Sequence, residues 1–395
     1  MERSVVLKLL ALMLAPLSFS TGAFVFGGVL APMAADLGVS VAAAGQLQAA
    51  FALSCAAAGP FLARYTGRFE RRRVLLAVLA AMVLFNALSA VAGGYGLLFA
   101  ARVATGIAGA LTIPVSSAIA VGLAPPEKRP QALAMVYAGI ALALLIGIPL
   151  GTFVGGAYGW PACFWLASAM CGVGFSAALF ALPKTPPPPA PPEGAFKRAL
   201  QGGTPRLYLA TFAGFAATFA SVSFVGPVTT AITGLEGASI GAVQIFVGIG
   251  SLIGLFFGAR IAARVGAPAI PALLAIMALT QALISVGMRI EAGFTANFVL
   301  AVGAFGVGAG ALFALSTVVQ NALSERAGPA ATVAFALNGS MVYFGQGGGA
   351  LIGGLTTSGI ALASVGYAGA TIGVVAATGV FLAQRRVSDQ LESSA

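Results

Sequence analysis

Two charged residues stand out because each lies in or beside a long apolar run. Arg102 lies within the run at 97–122, and Asp36 directly follows the run at 9–33. A charge inside a membrane helix is costly and usually faces a cavity or a partner. Arg102 is therefore either a cavity residue that contacts a polar or anionic solute or controls proton movement, or an arginine that reaches back to the membrane interface. Asp36 is either a loop residue at a helix end or a group that binds a proton or solute.

The residue types needed for enzyme or metal chemistry are missing or unsuitably placed. Histidine is absent, and Cys55, Cys163 and Cys171 all lie within apolar runs without metal-ligand spacing. The apolar runs contain no nucleophile–base pair, and the chain has no phosphate-binding loop of the Gly-x-x-x-x-Gly-Lys-Ser/Thr type. We therefore expect no enzyme activity, no metal, no cofactor and no direct use of ATP.

The composition defines the class of protein. Of the 395 residues, 59% are hydrophobic and 8% are charged, and the mean hydropathy is +1.00. A soluble domain carries roughly 25% charged residues, so this chain cannot cover a water-exposed surface. The net charge of +10 does not indicate nucleic-acid binding, because the basic residues lie between the apolar runs.

The apolar runs predict twelve transmembrane helices, since a bilayer core needs about 20 apolar residues per helix. With both termini in the cytoplasm, 18 of the 20 Lys and Arg residues fall on the inner side, as the positive-inside rule requires. The predicted spans are 9–33, 43–63, 74–93, 97–122, 131–156, 162–182, 207–232, 239–260, 268–288, 294–318, 329–355 and 360–383.

A proline-rich stretch divides the chain into two halves of six spans. It contains Thr-Pro-Pro-Pro-Pro-Ala-Pro-Pro at 185–192 and is interpreted as a cytoplasmic spacer; a docking peptide for a partner is the alternative. The two halves resemble each other in sequence at an offset of 195 residues, as in Pro32 and Pro227. We predict an all-α membrane protein with six-helix bundles at 1–182 and 207–395, joined by a linker at 183–206. Two such bundles can rock about a solute held between them.

Four motifs, in order along the chain, resemble those of the major facilitator superfamily. The first is Gly59 with the basic loop at 64–73, and the second is the stretch at 98–109 around Arg102. The third is Gly147-Ile148-Pro149-Leu150-Gly151, which is similar to the glycine-proline signature of the exporter subgroup. The fourth is Asn338-Gly339-Ser340 with Gly345-Gln346, common in sugar- and nucleoside-efflux-like members.

The resemblance implies two sets of functional residues. The family's gate lies in the loop after the second span, where an aspartate usually precedes the arginine; here Ala63 and, in the second half, Ala263 stand instead, so we hypothesise that Glu70 supplies the negative partner. The gating candidates are Gly59, Arg64, Gly67, Glu70, Arg72, Gly147, Pro149 and Gly151. Besides Arg102 and Asp36, the cavity candidates are Thr21, Phe24, Thr112, Ser116, Phe219, Ser223, Phe313, Gln320, Asn338 and Gln346.

These observations favour a secondary active transporter of a bacterial-type inner membrane that exports small polar or amphipathic solutes by alternating access. Proton antiport is implied by the resemblance to the drug:proton antiporter-like subgroup, but all ten acids fall in loops or tails of the predicted topology. The alternative is a gradient-driven facilitator or importer of a neutral or anionic metabolite; a transport-inactive sensor or scaffold is a third. We expect a monomer whose partners are the bilayer, a small-molecule solute and protons, without nucleic acid.

Overall fold

The computed structural model describes residues 2–186 and 194–393 and is built from helices, with no strand among those residues. The part of the predicted linker at 187–193 lies outside the described residues. The helices are α1 (Arg3–Phe24), α2 (Leu30–Asp36), α3 (Val41–Thr66), α4 (Arg71–Ala90), α5 (Tyr95–Gly109), α6 (Thr112–Leu123), α7 (Arg129–Leu142), α8 (Ile148–Tyr158), α9 (Trp160–Ala181), α10 (Ala195–Ala199), α11 (Thr204–Val222), α12 (Val225–Thr233), α13 (Ile240–Arg264), α14 (Ile270–Gly287), α15 (Phe294–Ala327), α16 (Ala331–Gly359) and α17 (Val365–Ser393).

Helices occupy all twelve predicted positions. Within the described residues, ten helical stretches are long and apolar enough to cross a membrane, or eleven when the bent pair α11–α12 counts as one. The remaining predicted span, at 329–355, corresponds to α16, a helix of 29 residues. It is long enough to cross a bilayer, but its glycines and polar side chains such as Asn338 and Gln346 make it less apolar than the others.

The described residues divide into two compact units. The first comprises residues 2–186 together with Phe224–Thr230 and Leu235–Gly248. In it α1 packs against α7 and α9, and α4 packs against α5 and α9. One of its buried clusters contains Leu9, Leu12, Leu75, Leu79, Ile119 and Val136. The second unit holds the described remainder, in which α11 packs against α16 and α17, and α14 against α15 and α17.

Two spans are broken at equivalent places by proline. The helices α2 and α12 begin at Leu30 and Val225, which are separated by 225 − 30 = 195 residues, the offset of the sequence repeat. Pro32 and Pro227 each stand third in these helices. A proline ring clashes with the carbonyl four residues earlier and lacks an N–H, so it fits best in a helix's first turn, although Pro16 and Pro60 lie inside α1 and α3. Pro32 and Pro227 each lie in the first turn of a restarted helix, and α11 and α12 meet at 57°.

Glycine rows allow α13 and α15 to touch backbone to backbone. Gly250 and Gly254, one turn apart on α13, face Gly306 and Gly310 on α15. A Cβ at Gly254 would overlap the carbonyl oxygen of Gly310. Small residues at a spacing of four are how membrane helices approach closely, because lipid provides no hydrophobic force to press them together.

We predict that Gly254→Ala destabilises the protein, since the added methyl group has no space and the two backbones must separate. Overpacking of this kind costs about 1–3 kcal/mol. The measurement is the thermal unfolding midpoint in detergent. Gly303→Ala on α15 is the matched control, because no atom lies within 4 Å of a Cβ there. Equal midpoints for both variants would contradict the close contact.

Candidate functional site

Arg102 belongs to the first unit and is completely buried, with 0% of its surface exposed. Its guanidinium donates two hydrogen bonds to the end of α1: Nη1 to the carbonyl oxygen of Gly22 at 3.0 Å, and Nη2 to that of Ala23 at 2.9 Å. Because α1 ends at Phe24, both carbonyls belong to its last turn. Carbonyl groups in the last turn of a helix have no N–H within the helix to bond to. The arginine thus caps the helix at its break.

Three aromatic rings surround the same guanidinium. Its central carbon lies 4.6 Å from the ring centroid of Phe51, 5.0 Å from that of Phe26 and 5.7 Å from that of Phe164. The ion pair in the described part of the chain is Arg73–Glu70. Within those residues, therefore, Arg102 forms no ion pair with a carboxylate. Helix-end carbonyl dipoles and ring faces stabilise its charge instead. The interpretation that Arg102 reaches back to the interface does not fit this position.

Polar side chains that lack hydrogen-bond partners lie in the core of the same unit. The buried atoms Thr21 Oγ1, Gln48 Nε2, Asn86 Oδ1 and Ser116 Oγ have none. Asn86 faces Gly22, and its Nδ2 donates to the carbonyl oxygen of Met82 at 2.8 Å. In a bilayer each unmet polar group costs free energy, so these atoms are candidates for contact with water or a solute.

The predicted cavity residues of the first unit, apart from Arg102 and Asp36, lie on α1 and α6. Thr21 is the residue before Gly22, and Phe24 ends α1 and is partly buried. Thr112 is buried on α6, where its hydroxyl donates to Met82 Sδ at 3.6 Å. Sequence reasoning missed Gln48 and Asn86 as site residues, although an amide within an apolar run is a signal for them.

Asp36 ends α2 and is exposed, and its carboxylate accepts a hydrogen bond from Trp160 Nε1 at 2.7 Å. Trp160 meets Phe164 edge-on with centroids 6.0 Å apart, and Phe164 belongs to the ring cage of Arg102. Asp36 therefore lies at the end of the broken first span, whereas Arg102 binds at its break. They are connected through α9 without touching each other.

The predicted residues of the second unit include one member of a polar pair, one member of an aromatic pair and two polar side chains without hydrogen-bond partners. Asn338 Oδ1 accepts a hydrogen bond from Thr211 at 2.8 Å, and Phe219 stacks on Phe215 at 6.2 Å. Ser223 Oγ and Gln346 Oε1 are buried without hydrogen-bond partners. Phe313 and Gln320 are partly buried on α15.

The basic loop after α3 joins helix ends within the first unit. Glu70 Oε2 pairs with Arg73 Nε at 2.9 Å, and its Oε1 accepts the backbone N–H of Thr185 at 3.3 Å. Arg71 and Arg72 donate to the carbonyls of Ala118 and Leu179, near the ends of α6 and α9.

The other gating candidates of this loop frame the end of α3. Gly67 follows the helix and donates its N–H to the carbonyl oxygen of Ala63 at 3.0 Å, while Arg64 is exposed. No atom lies within 4 Å of a Cβ built at Gly59. The described contacts of Glu70 are thus with Arg73 and the start of the linker, and its proposed latch role stays a prediction.

Pro149 changes the geometry of the fifth span. The five residues Ala143–Gly147 form one turn of π-helix before α8 starts at Ile148, which accommodates the missing N–H of the proline. Gly147 packs against Thr21, and Gly151 packs against Val25. The glycines bring α8 onto the broken first span at the position where Arg102 caps it.

A helical membrane protein has the features of a solute transporter when a broken span and buried polar groups without hydrogen-bond partners lie in its core. Residues 12–332 match the Major Facilitator Superfamily, and the chain belongs to that family. The family and its fold are those of transporters rather than enzymes, as the motifs predicted.

The chain is 33% identical over 265 residues to a chloramphenicol resistance protein of Streptomyces lividans, covering 65% of this chain and 67% of that protein. It is 30% identical over 314 residues to a probable sugar efflux transporter of Mannheimia succiniciproducens, covering 78% and 77%. The crystal structure of a bacterial homolog to the human lysosomal transporter Spinster, inward-facing and unoccupied, has the same fold: TM-score 0.79, 19% identity and 98% of each chain covered.

We predict that Arg102→Lys lowers both the thermal midpoint and the transport rate. An ammonium group cannot donate to two carbonyls in a fixed fork or stack flat between rings. Arg260→Lys is the matched control, because Arg260 also stacks on a ring, 4.2 Å from the Phe256 centroid, but is exposed. If Arg102→Lys matched the wild type in midpoint and rate, the capping role would be wrong.

Proposed function

We propose that the protein is a secondary active exporter of small polar or amphipathic solutes that works by alternating access. In this proposal it lies in a bacterial-type inner membrane as a monomer with both termini in the cytoplasm. The charge distribution supports that topology, with 18 of 20 basic residues on the inner side.

The observation that carries the proposal is the set of buried polar atoms without partners. They occur beside the capped break of the first span, as Thr21 Oγ1 and Ser116 Oγ, and in the second unit, as Thr218 Oγ1, Ser223 Oγ and Gln346 Oε1. A protein built only to stay folded in lipid would satisfy such groups internally. Hydroxyl and amide groups of this kind suit a solute that carries hydrogen-bonding groups.

The solute class and the direction follow from charge and relatives. Within the described residues Arg102 is the fully buried charged side chain, so the interior favours neutral or anionic solutes over permanent cations. Two relatives carry names that refer to chloramphenicol resistance and sugar efflux. The glycine-proline segment of α8 resembles the exporter signature. Together these support export of an uncharged polar or amphipathic compound.

The driving force has two candidates. Proton antiport follows from the resemblance and would need a titratable group, for which Asp36 is the candidate. A facilitator driven by the solute gradient is favoured by a specific observation: no aspartate or glutamate is among the buried side chains of the described residues. We place proton antiport first, because Asp36 is joined through Trp160 and Phe164 to the ring cage of Arg102.

Transport into proteoliposomes tests the function. Thermal-shift screening selects the solute from sugars, nucleosides and drugs, with chloramphenicol included. An exporter coupled to protons accumulates that solute against its gradient when a pH difference is imposed, and a protonophore abolishes the accumulation. A facilitator only equilibrates it. Uptake no faster than in protein-free liposomes, for a solute that shifts the midpoint, would refute transport.

Asp36→Asn separates the coupling role from a structural one. Asparagine can still accept the hydrogen bond of Trp160 but cannot ionise. We expect this variant to exchange solute while losing pH-driven accumulation. Glu291→Gln, another exposed acid, is the control and should accumulate solute normally. Unchanged accumulation in Asp36→Asn would assign the proton coupling to a group other than Asp36.

A further inference from the structure

The start of α13 lies unusually close to the segment around Pro149, and all the residues concerned belong to the first unit. A Cβ at Gly248 would lie 2.6 Å from Cα of Leu145, and one at Gly156 would lie 2.7 Å from the backbone nitrogen of Ala238. Such distances leave no space for side chains, so the contact is backbone against backbone. Close packing over several turns makes a tight and apolar junction.

One polar pair is buried inside this junction. Thr152 Oγ1 donates to Gln244 Oε1 at 2.6 Å, and Thr152 also packs directly against Gly28 in the break of the first span. Thr152 is 0% exposed and Gln244 is 3% exposed. Gln244 Nε2 nevertheless has no hydrogen-bond partner. The junction therefore contains a glutamine that is satisfied at its oxygen and unsatisfied at its nitrogen.

The unmet amide makes the closed junction less stable than its packing alone would make it. A buried donor without an acceptor loses its hydration and gains nothing in return. If the start of α13 separates from α8, water reaches Nε2 and this loss is recovered. The hydroxyl of Thr152 acts in the opposite direction, because it gives the closed junction a hydrogen bond that opening exchanges for one to water.

We propose that Gln244 and Thr152 together set how readily this junction opens during the transport cycle. Gln244 weakens the glycine-lined contact through its unmet donor, and Thr152 partly restores it through the hydroxyl. The inference rests on the proposed alternating-access function, in which the junction must form and separate in each cycle. Neither residue needs to contact the solute.

The test uses two variants that remove the same hydrogen bond but are expected to shift the junction in opposite directions. Gln244→Leu removes the unmet donor and favours the closed junction, because the Thr152 hydroxyl can donate instead to the carbonyl oxygen four residues earlier in its own helix, as Thr105 does to Ala101. Thr152→Val removes the hydroxyl, leaves both ends of the glutamine amide unpaired and favours the open junction. Gly241→Cys reports the state, because Gly241 is buried and a Cβ there would lie 3.5 Å from the carbonyl oxygen of Pro149, an ordinary contact. The three native cysteines are replaced by alanine.

The rate at which N-ethylmaleimide labels the cysteine at position 241 is measured in proteoliposomes. We expect Thr152→Val to raise the rate and Gln244→Leu to lower it, each roughly five-fold, the change that about 1 kcal/mol produces. The double variant should behave like Gln244→Leu, since no amide remains to be unpaired. Rates that shift in the same direction for both single variants, or that do not shift, would overturn the proposal.

Gln281→Leu is the matched control. Gln281 is also a buried glutamine, at 3% exposed, and accepts a hydrogen bond from Ser221 at 2.7 Å, but it belongs to the second unit. It should leave labelling at position 241 unchanged. Labelling needs no solute, so a failure of the exporter assignment and a failure of this inference are distinguishable. A second readout guards against misfolding: Gln244→Leu should raise the thermal midpoint, and Thr152→Val should lower it.

Discussion

The structure of the first unit depends on a buried arginine whose charge is met by helix-end carbonyls instead of an acid. The first span stops at Phe24 and restarts at Leu30, so the carbonyls of Gly22 and Ala23 lie in the last turn of α1. Arg102 supplies two donors to them from within a cage of three phenylalanines. The cost of a helix break and the cost of a buried cation thus offset each other. Removing either one leaves the other uncompensated in a medium of low dielectric.

The break has consequences for the elements around it. Gly147 and Gly151 bring α8 against α1 at the break, and Gly226 in the restarted seventh span comes within reach of the carbonyls of Gly27 and Gly28, since a Cβ there would lie 2.7 and 2.8 Å from them. Two proline-broken spans and one proline-distorted span therefore meet through glycine. A junction of this type has little side-chain interdigitation, so a single polar pair such as Thr152–Gln244 can change its stability.

The sequence was sufficient to place the twelve helices, because apolar runs of 20 residues between charged breaks have one physical explanation. It also identified Arg102, since a charge within such a run is conspicuous. It did not reveal the carbonyl partners of Arg102 or the unpaired amides of Gln48 and Gln244. In membrane spans most faces are apolar, so periodicity does not show which face meets which neighbour. The π-turn before α8 and the short helix α10 were also not predicted from the sequence, because the sequence signals for such short elements are local and weak.

Hydrogen–deuterium exchange at the break of the first span tests the central claim most directly. The N–H of Val29 bonds to the carbonyl oxygen of Phe26 at 3.0 Å in the short turn that follows α1. If Arg102 holds this break, Arg102→Lys speeds exchange in peptides covering residues 22–30 and leaves α14 unaffected. Exchange at 22–30 that is as slow in the folded variant as in the wild type would contradict the account.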